Sequence, residues 1–345
     1  MQLNRINRLL EKCEGCGVVL LTAPEDIRYY SSFSGEGVVL ISNGKRLVAT
    51  DGRYTEIAQS ECEGFDVVPV SDLHEILRGF KQPVAVQSES ISLEKYLELQ
   101  KEGFEIKPLS QIFDVLRSVK DEQEIMCLKK AARIAEQVFY EVLKFISVGR
   151  TERETAAFID YQMKKMGADK NSFDTICVSG KNGSLPHGVP GDKKFNSGEF
   201  ITLDFGCVFG GYCSDMTRTI AIGNITDEMA NVYNVVLEAQ QKASGAIKEG
   251  AKCKEVDEVA RSIIASSGYG ENFVHSTGHG VGLKIHERPV LSPKGEEVLK
   301  RGNVVTVEPG IYIPGKFGVR IENTLIVRQD FGENLQKSSK ELIIL

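Results

Sequence analysis

The chain has 345 residues, 41% of them hydrophobic and 26% charged, an ordinary globular composition with length enough for two domains and a large core. A net charge of -6 argues against a nucleic-acid binder, which carries a basic footprint. No apolar run is long enough for a transmembrane helix, so neither nucleic acid nor membrane is an expected partner. The opening segment MQLNRINRLLEKCEG is polar and amphipathic and lacks the apolar stretch of a secretion signal. Eight cysteines are scattered through apolar segments, which suits reduced thiols better than a disulfide framework, and a cytoplasmic location is expected.

In chain order, residues 2–14 read as a helix and Gly17-Val-Val-Leu-Leu as a buried strand. Strands starting at Gly37 and Arg46 are joined by Ser42-Asn43-Gly44, a hairpin signal. A helix over 54–60, a strand from Asp66, a short helix over 72–79, a strand over 84–87 and a helix over 93–101 follow. This alternation predicts a small α/β domain without a phosphate-binding glycine loop. His74 reads as a surface histidine. Cys13 and Cys16 form a C-x-x-C with no second pair to complete a zinc site. A long helix over 120–146, with a charged first turn, opens a second domain. The expected domains are 1–118 and 119–345.

From there the chain repeats itself. Gly149 precedes a helix ending at Gly167, with Thr151 and Glu154 as a capping box; Gly250 precedes a helix ending at Gly268 at the same offset. Phe173 opens FDTICVSG and Phe273 opens FVHSTGHG; His187 corresponds to His286. Asp204 and Asp215 correspond to Glu308 and Glu322. A long helix precedes each unit, at about 121–146 and 227–248. The pattern predicts a duplicated α+β unit whose two antiparallel half-sheets face one another, with helices outside.

Each unit ends in a hairpin with two acids. In the first, strand-like segments flank Gly210-Gly211, a pair suited to the positive φ angles of a two-residue turn. With that turn Phe209 pairs with Tyr212 and Gly206 faces Asp215, so Asp204 and Asp215 are diagonal neighbours on one face. In the second, a three-residue loop around Pro314-Gly315 sets Glu308 directly opposite Glu322. Four carboxylates among apolar strands demand positive charge. His279 sits in a glycine-flanked strand that permits close approach. Four carboxylates and an imidazole suit two divalent ions, and such ligands favour manganese, cobalt, iron or zinc over copper. Of the five histidines, four (His187, His275, His279 and His286) lie among these acids. Cys207 and Cys213 read as small hairpin residues rather than ligands.

The segments DFG…GYCSDMTRT, HSTGHGVGLKIHE, TVEPGIY and RIENT resemble the signatures of the metal-dependent Xaa-Pro peptidases, aminopeptidase P and Xaa-Pro dipeptidase (prolidase). These share the pita-bread fold with methionine aminopeptidase and creatinase. The resemblance implies an N-terminal α/β, creatinase-like domain and a C-terminal duplicated pita-bread domain, with a curved antiparallel sheet and outer helices. It implies that Asp204, Asp215, His279, Glu308 and Glu322 hold two divalent ions (manganese, cobalt or zinc), with Asp215 and Glu322 bridging them. Glu308 would also shuttle a proton, His286 would stabilise the tetrahedral intermediate, and His187 would bond the substrate from the opposite side. His275 and Arg320 match further active-site positions. Phe173, Tyr212 and Phe317 are candidate walls for a proline ring, with the core as their other place.

The implied substrate is a peptide with proline at its second position, and the implied assembly a homodimer. The reading adopted is aminopeptidase P-like hydrolysis, with Xaa-Pro dipeptidase as the alternative. A methionine aminopeptidase-like enzyme and a non-catalytic peptide-binding protein on the same fold are further alternatives.

Overall fold

A computed structural model describes residues 2–345. The chain divides into two compact units, one ending at Arg117 and the other beginning at Ser118.

The first unit is a six-stranded mixed sheet with helices. Its strands run in the spatial order Asp66–Pro69, Arg46–Thr50, Gly37–Ile41, Val18–Leu21, Val84–Gln87, Ile106–Leu109. Val18–Leu21 lies inside the sheet and is buried throughout, which is why it reads as a continuous apolar run rather than an alternating one. Val18, Leu20, Leu40, Val84 and Val86 pack with Leu73 and Leu77. His74 is engaged by Glu98 at 2.9 Å and Lys95 at 3.1 Å. Three elements go beyond the sequence reading. Helix Pro24–Ser31 starts with proline in its first turn followed by Glu25 and Asp26, a proper helix opening. Strand Ile106–Leu109 is at the sheet edge, where Pro108 is tolerated. Helix Ile112–Ser118 brings Arg117 onto buried Asp26, which also accepts from Gln87 Nε2 at 2.6 Å.

The second unit contains two helix pairs, Glu122–Phe145 with Glu152–Lys165, and Asp227–Gly245 with Cys253–Ser266. Each pair packs on its own hairpin. Ile134, Val138, Phe139 and Ile159 meet Leu203, Phe205, Met216 and Ile220; Val236, Val256, Ala260 and Ile264 meet Val305, Val307, Val319 and Leu325. Asp121 and Thr151 both close capping boxes, with Glu124 and Glu154 respectively.

The internal correspondence extends to the main chain. Gly149 and Gly250 have φ of 91° and 84°, and Gly167 and Gly268 have 94° and 87°. Gly149 N–H bonds the Phe195 carbonyl and Gly250 N–H that of Leu299; Glu152 N–H bonds Lys193 and Cys253 N–H bonds Glu297. Isolated bridges join Thr151 to Lys194 and Lys252 to Val298. Two stretches with different side chains thus make the same backbone turns and pairings.

Both hairpins keep the expected register. Phe209 pairs with Tyr212 across the Gly210-Gly211 turn, whose φ values of 59° and 89° are both positive. Further down the same register, Phe205 pairs with Met216 and Asp204 with Thr217. In the second hairpin Ile313 pairs with Phe317 across a three-residue loop and Gly310 with Arg320, and beyond the acids Val307 pairs with Asn323. Neither hairpin is one continuous ladder, however. The first splits at Gly206 and the second at 308–309, each half joining a different sheet. At Gly206 the chains approach so closely that a Cβ would lie 1.8 Å from the Ser214 carbonyl oxygen. Asp215, Glu308 and Glu322 all fall at these breaks, where main chain stops pairing and side chains converge.

Candidate metal centre and active site

Asp204 is the penultimate residue of the strand Glu199–Phe205, and Asp215 stands just before Met216–Ile222. Glu308 follows Val304–Val307, and Glu322 lies between Phe317–Arg320 and Asn323–Val327. The two hairpins are stitched together: Glu322 N–H donates to the Thr217 carbonyl at 3.1 Å, and Thr217 Oγ1 donates to Glu322 Oε2 at 2.7 Å. Carboxylate oxygens of Asp204, Asp215 and Glu322 lie within 4.8 Å of one another. His279, in Gly278–Gly280, is brought in because a Cβ at Gly278 would meet the Thr306 carbonyl oxygen at 2.0 Å. Its Nε2 is 3.6 Å from Asp215 Oδ2 and 3.2 Å from Glu308 Oε1. The five residues read as ligands therefore form one connected group.

The electrostatics of this group describe a site for cations. Burial, then the neighbouring carboxylates, push Asp215 and Glu322 well above the usual carboxylate range. Burial also raises Asp204, against the opposing charge of Arg320. Burial works the same way on Glu308, but the hydrogen bond and charge of His279 outweigh it and hold this carboxyl at about 2. Asp204 Oδ1 and Glu322 Oε1 are buried without a hydrogen-bond partner, which a carboxylate tolerates only where something else binds it. His279 Nδ1 faces the Gly280 carbonyl at 3.0 Å, so it carries a proton. Nε2 faces the two acids; burial opposes its charge, but the Glu308 carboxylate outweighs that and raises His279 above its ordinary range, so Nε2 donates to Glu308 where a cation would take that proton's place. The donor set of carboxylate oxygens and one imidazole fits divalent ions of the manganese, cobalt or zinc type.

Around this group, Arg320 is fully engaged. It donates to Asp204 Oδ2 at 2.5 Å, Tyr312 Oη at 2.6 Å, Thr217 Oγ1 at 3.2 Å and the Pro186 carbonyl at 3.3 Å. Tyr312 in turn bonds His275 Nε2 at 2.9 Å, and His275 Nδ1 faces the Ser276 carbonyl at 2.8 Å. A carbonyl only accepts, so Nδ1 donates and Nε2 accepts from the tyrosine. Burial lowers His275 below its ordinary range, in keeping with a neutral ring. Both of its nitrogens are thus committed to the protein. His286 packs its ring 4.4 Å from that of His279 and is exposed, as is His187.

Tyr312 escaped the sequence reading, although a signal existed. It lies two residues from Gly310, which pairs with Arg320, and so shares the arginine's face. Of the candidate proline walls, Tyr212 and Phe317 belong to the core. Tyr212 is buried and donates to Glu124 at 3.0 Å, and Phe317 packs edge-on against Phe200 at 5.7 Å. Phe173 is half-buried. Burial raises Cys207 to about 11 and Cys213 to about 12.

Residues 126–329 match metallopeptidase family M24, and residues 3–119 match the Creatinase/Prolidase N-terminal domain. The chain is 38% identical to the Xaa-Pro dipeptidase of Pyrococcus furiosus over 94% of each chain. It superposes on an Xaa-Pro dipeptidase from Bacillus anthracis with a TM-score of 0.97, 41% identity and 100% coverage of both chains. An X-Pro aminopeptidase from Thermotoga maritima superposes with a TM-score of 0.91 and 37% identity, covering 97% of this chain and 99% of that one. The fold is prolidase-like, with an N-terminal domain followed by a metallopeptidase domain of mixed sheets and helices. The chain belongs to metallopeptidase family M24.

Proposed function

We propose that this protein is an Xaa-Pro dipeptidase that uses two divalent metal ions. The carrying observation is the group of four carboxylates and His279 with two buried, unpartnered oxygens, in a chain that aligns with Xaa-Pro dipeptidases over nearly its full length. The aminopeptidase P reading yields first place to this one because the Bacillus anthracis Xaa-Pro dipeptidase matches at 41% identity, against 37% for the Thermotoga maritima X-Pro aminopeptidase. It stays as the second reading because the Thermotoga maritima X-Pro aminopeptidase also aligns along almost the whole chain. The domains proposed are 1–118 and 119–345, the latter a duplicated pita-bread unit with a curved antiparallel sheet. The internal repeat of turns and bridges supports it.

Two ions held by Asp204, Asp215, His279, Glu308 and Glu322 would polarise the scissile carbonyl and make water nucleophilic at neutral pH. An Xaa-Pro bond is a tertiary amide without an N–H, so its recognition must rest on the carbonyl and the two chain ends. Asp215 and Glu322 are the proposed bridging ligands. Glu308, oriented by Thr306 Oγ1 at 3.0 Å, would carry a proton towards the departing proline nitrogen. His286 and His187, the two exposed histidines, would bond the reacting carbonyl and the substrate main chain. Arg320, Tyr312 and His275 would position Asp204 rather than touch the substrate. Manganese, cobalt and zinc all suit the ligands, and the proposed assembly is a cytoplasmic homodimer.

Rates on an Xaa-Pro dipeptide and an Xaa-Pro-Xaa tripeptide, with the same metal, separate the two readings. The dipeptidase reading predicts that the dipeptide is preferred; a clear preference for the tripeptide would restore the aminopeptidase.

A further inference from the structure

The strands that carry the candidate ligands are tied together by residues far along the chain, in the segment 336–340. Gln336, 2% exposed, donates through Nε2 to the Asp215 carbonyl at 2.8 Å and accepts the Thr324 N–H through Oε1 at 2.8 Å. Thr324 Oγ1 donates to the same Asp215 carbonyl at 2.9 Å. Arg218, 1% exposed, bonds the carbonyls of Glu322 and, at 2.9 Å, Thr217. Its remaining donors reach Asn323 Oδ1 at 2.9 Å, Ser338 Oγ and O at 2.9 and 3.1 Å, and Ser339 O at 3.1 Å. Lys340 donates to Gln240 Oε1 at 2.6 Å, and Gln240 donates to the Val307 carbonyl, just before Glu308, at 3.3 Å.

Gln336 and Thr324 end on the main chain of Asp215, Arg218 on that of Glu322 and Thr217, and Gln240 on that of Val307, each at or near a candidate ligand, while the other contacts anchor these side chains to segment 336–340. A carboxylate cannot hold its place between two ions if its own backbone drifts. At the hairpin breaks the usual ladder that would hold that backbone is missing. Among the described residues Arg218 bonds no acidic side chain, so its guanidinium serves as a multi-point cross-link of neutral oxygens, most of them main-chain carbonyls. Its planar fork suits that work and a lysine would not. The segment is itself fixed, because Tyr233 Oη donates to the Lys340 carbonyl at 2.8 Å and Glu136 accepts the N–H groups of Lys337 and Ser338.

We propose that segment 336–340 and Arg218 form a clamp that sets the positions of Asp215 and Glu322, making Gln336 and Arg218 positioning residues for metal binding. This rests on the reading of Asp215 and Glu322 as ligands. The test is calorimetric titration of Co2+ into metal-free full-length protein, with the visible absorption of the bound ion as a second readout. Gln336→Met removes the donor to Asp215 while keeping the side chain's length, and Thr324→Val removes the other donor with almost no change in shape. The clamp predicts at least tenfold weaker Co2+ binding and a shifted cobalt spectrum in folded variants. Thr324→Val carries the test if Gln336→Met does not fold. Isotherms and spectra that superpose on those of the wild type, even with a lowered melting temperature, would show a merely structural role and overturn the clamp. A wild type that takes up no Co2+, or an Asp215→Asn variant that binds it unchanged, would instead overturn the ligand reading.

Discussion

Arg320 Nη2 lies 2.5 Å from Asp204 Oδ2, and the two side chains are only 4% and 12% exposed. One end of the acid group is therefore balanced by the protein, while the unpartnered Asp204 Oδ1 is left for a cation. Breaking a buried pair by removing one partner costs about 3–5 kcal/mol, because the other charge remains buried. Arg320→Met should lose that order of stability in urea unfolding. Arg320→Lys should recover only part of it, since a lysine cannot reach Tyr312, Thr217 and Asp204 together. Equal stability of wild type and Arg320→Met would show that the pair does not hold Asp204.

Tyr312 links Arg320 to His275. Tyr312→Phe would leave His275 Nε2 without its donor, at a cost of about 1–3 kcal/mol for an unsatisfied buried group. Because Tyr312 acts on Asp204 through Arg320, the expected outcome is a fall of roughly tenfold in kcat/KM together with weaker binding of the ion that Asp204 would hold. Metal affinity and kcat/KM equal to those of the wild type would show that Tyr312 does not position Asp204.

Asp204 and Asp215 should behave differently. Asp215 stands within reach of both His279 and the Asp204–Glu322 group, whereas Asp204 is held to one side by Arg320. Asp204→Asn should weaken one ion preferentially in a two-site titration, and Asp215→Asn should weaken both. Equal loss of both ions in Asp204→Asn would count against this assignment.

Much of the site is legible in the sequence for definable reasons. Gly210-Gly211 sets a two-residue turn, and the period of two then settles which acids share a face. The repeated glycines at 149, 167, 250 and 268 mark helix ends in both halves. What stays hidden depends on distance. The split of the first hairpin into two sheets comes with the close approach of Gly206 to Ser214, which no local pattern announces. Tyr212 and Phe317 read equally as pocket walls or core until their neighbours Glu124 and Phe200 are known. The stretch Gln336-Lys-Ser-Ser-Lys reads as an unremarkable polar segment. Its meaning lies in partners such as Asp215 and Arg218, more than a hundred residues away. In the first unit, Pro108 obscures an edge strand that only the sheet order explains.

The most direct measurement is proline release from an Xaa-Pro dipeptide by metal-loaded wild type and Glu308→Gln. Glutamine keeps the size of Glu308 and its contact with Thr306 but removes the proton-carrying carboxylate. Positioned acid–base groups contribute about 10²–10⁴-fold to rate, and the loss of a metal ligand adds to this. The account predicts proline release by the wild type and at least a hundredfold slower release by the variant. Release at the wild-type rate by Glu308→Gln would contradict it.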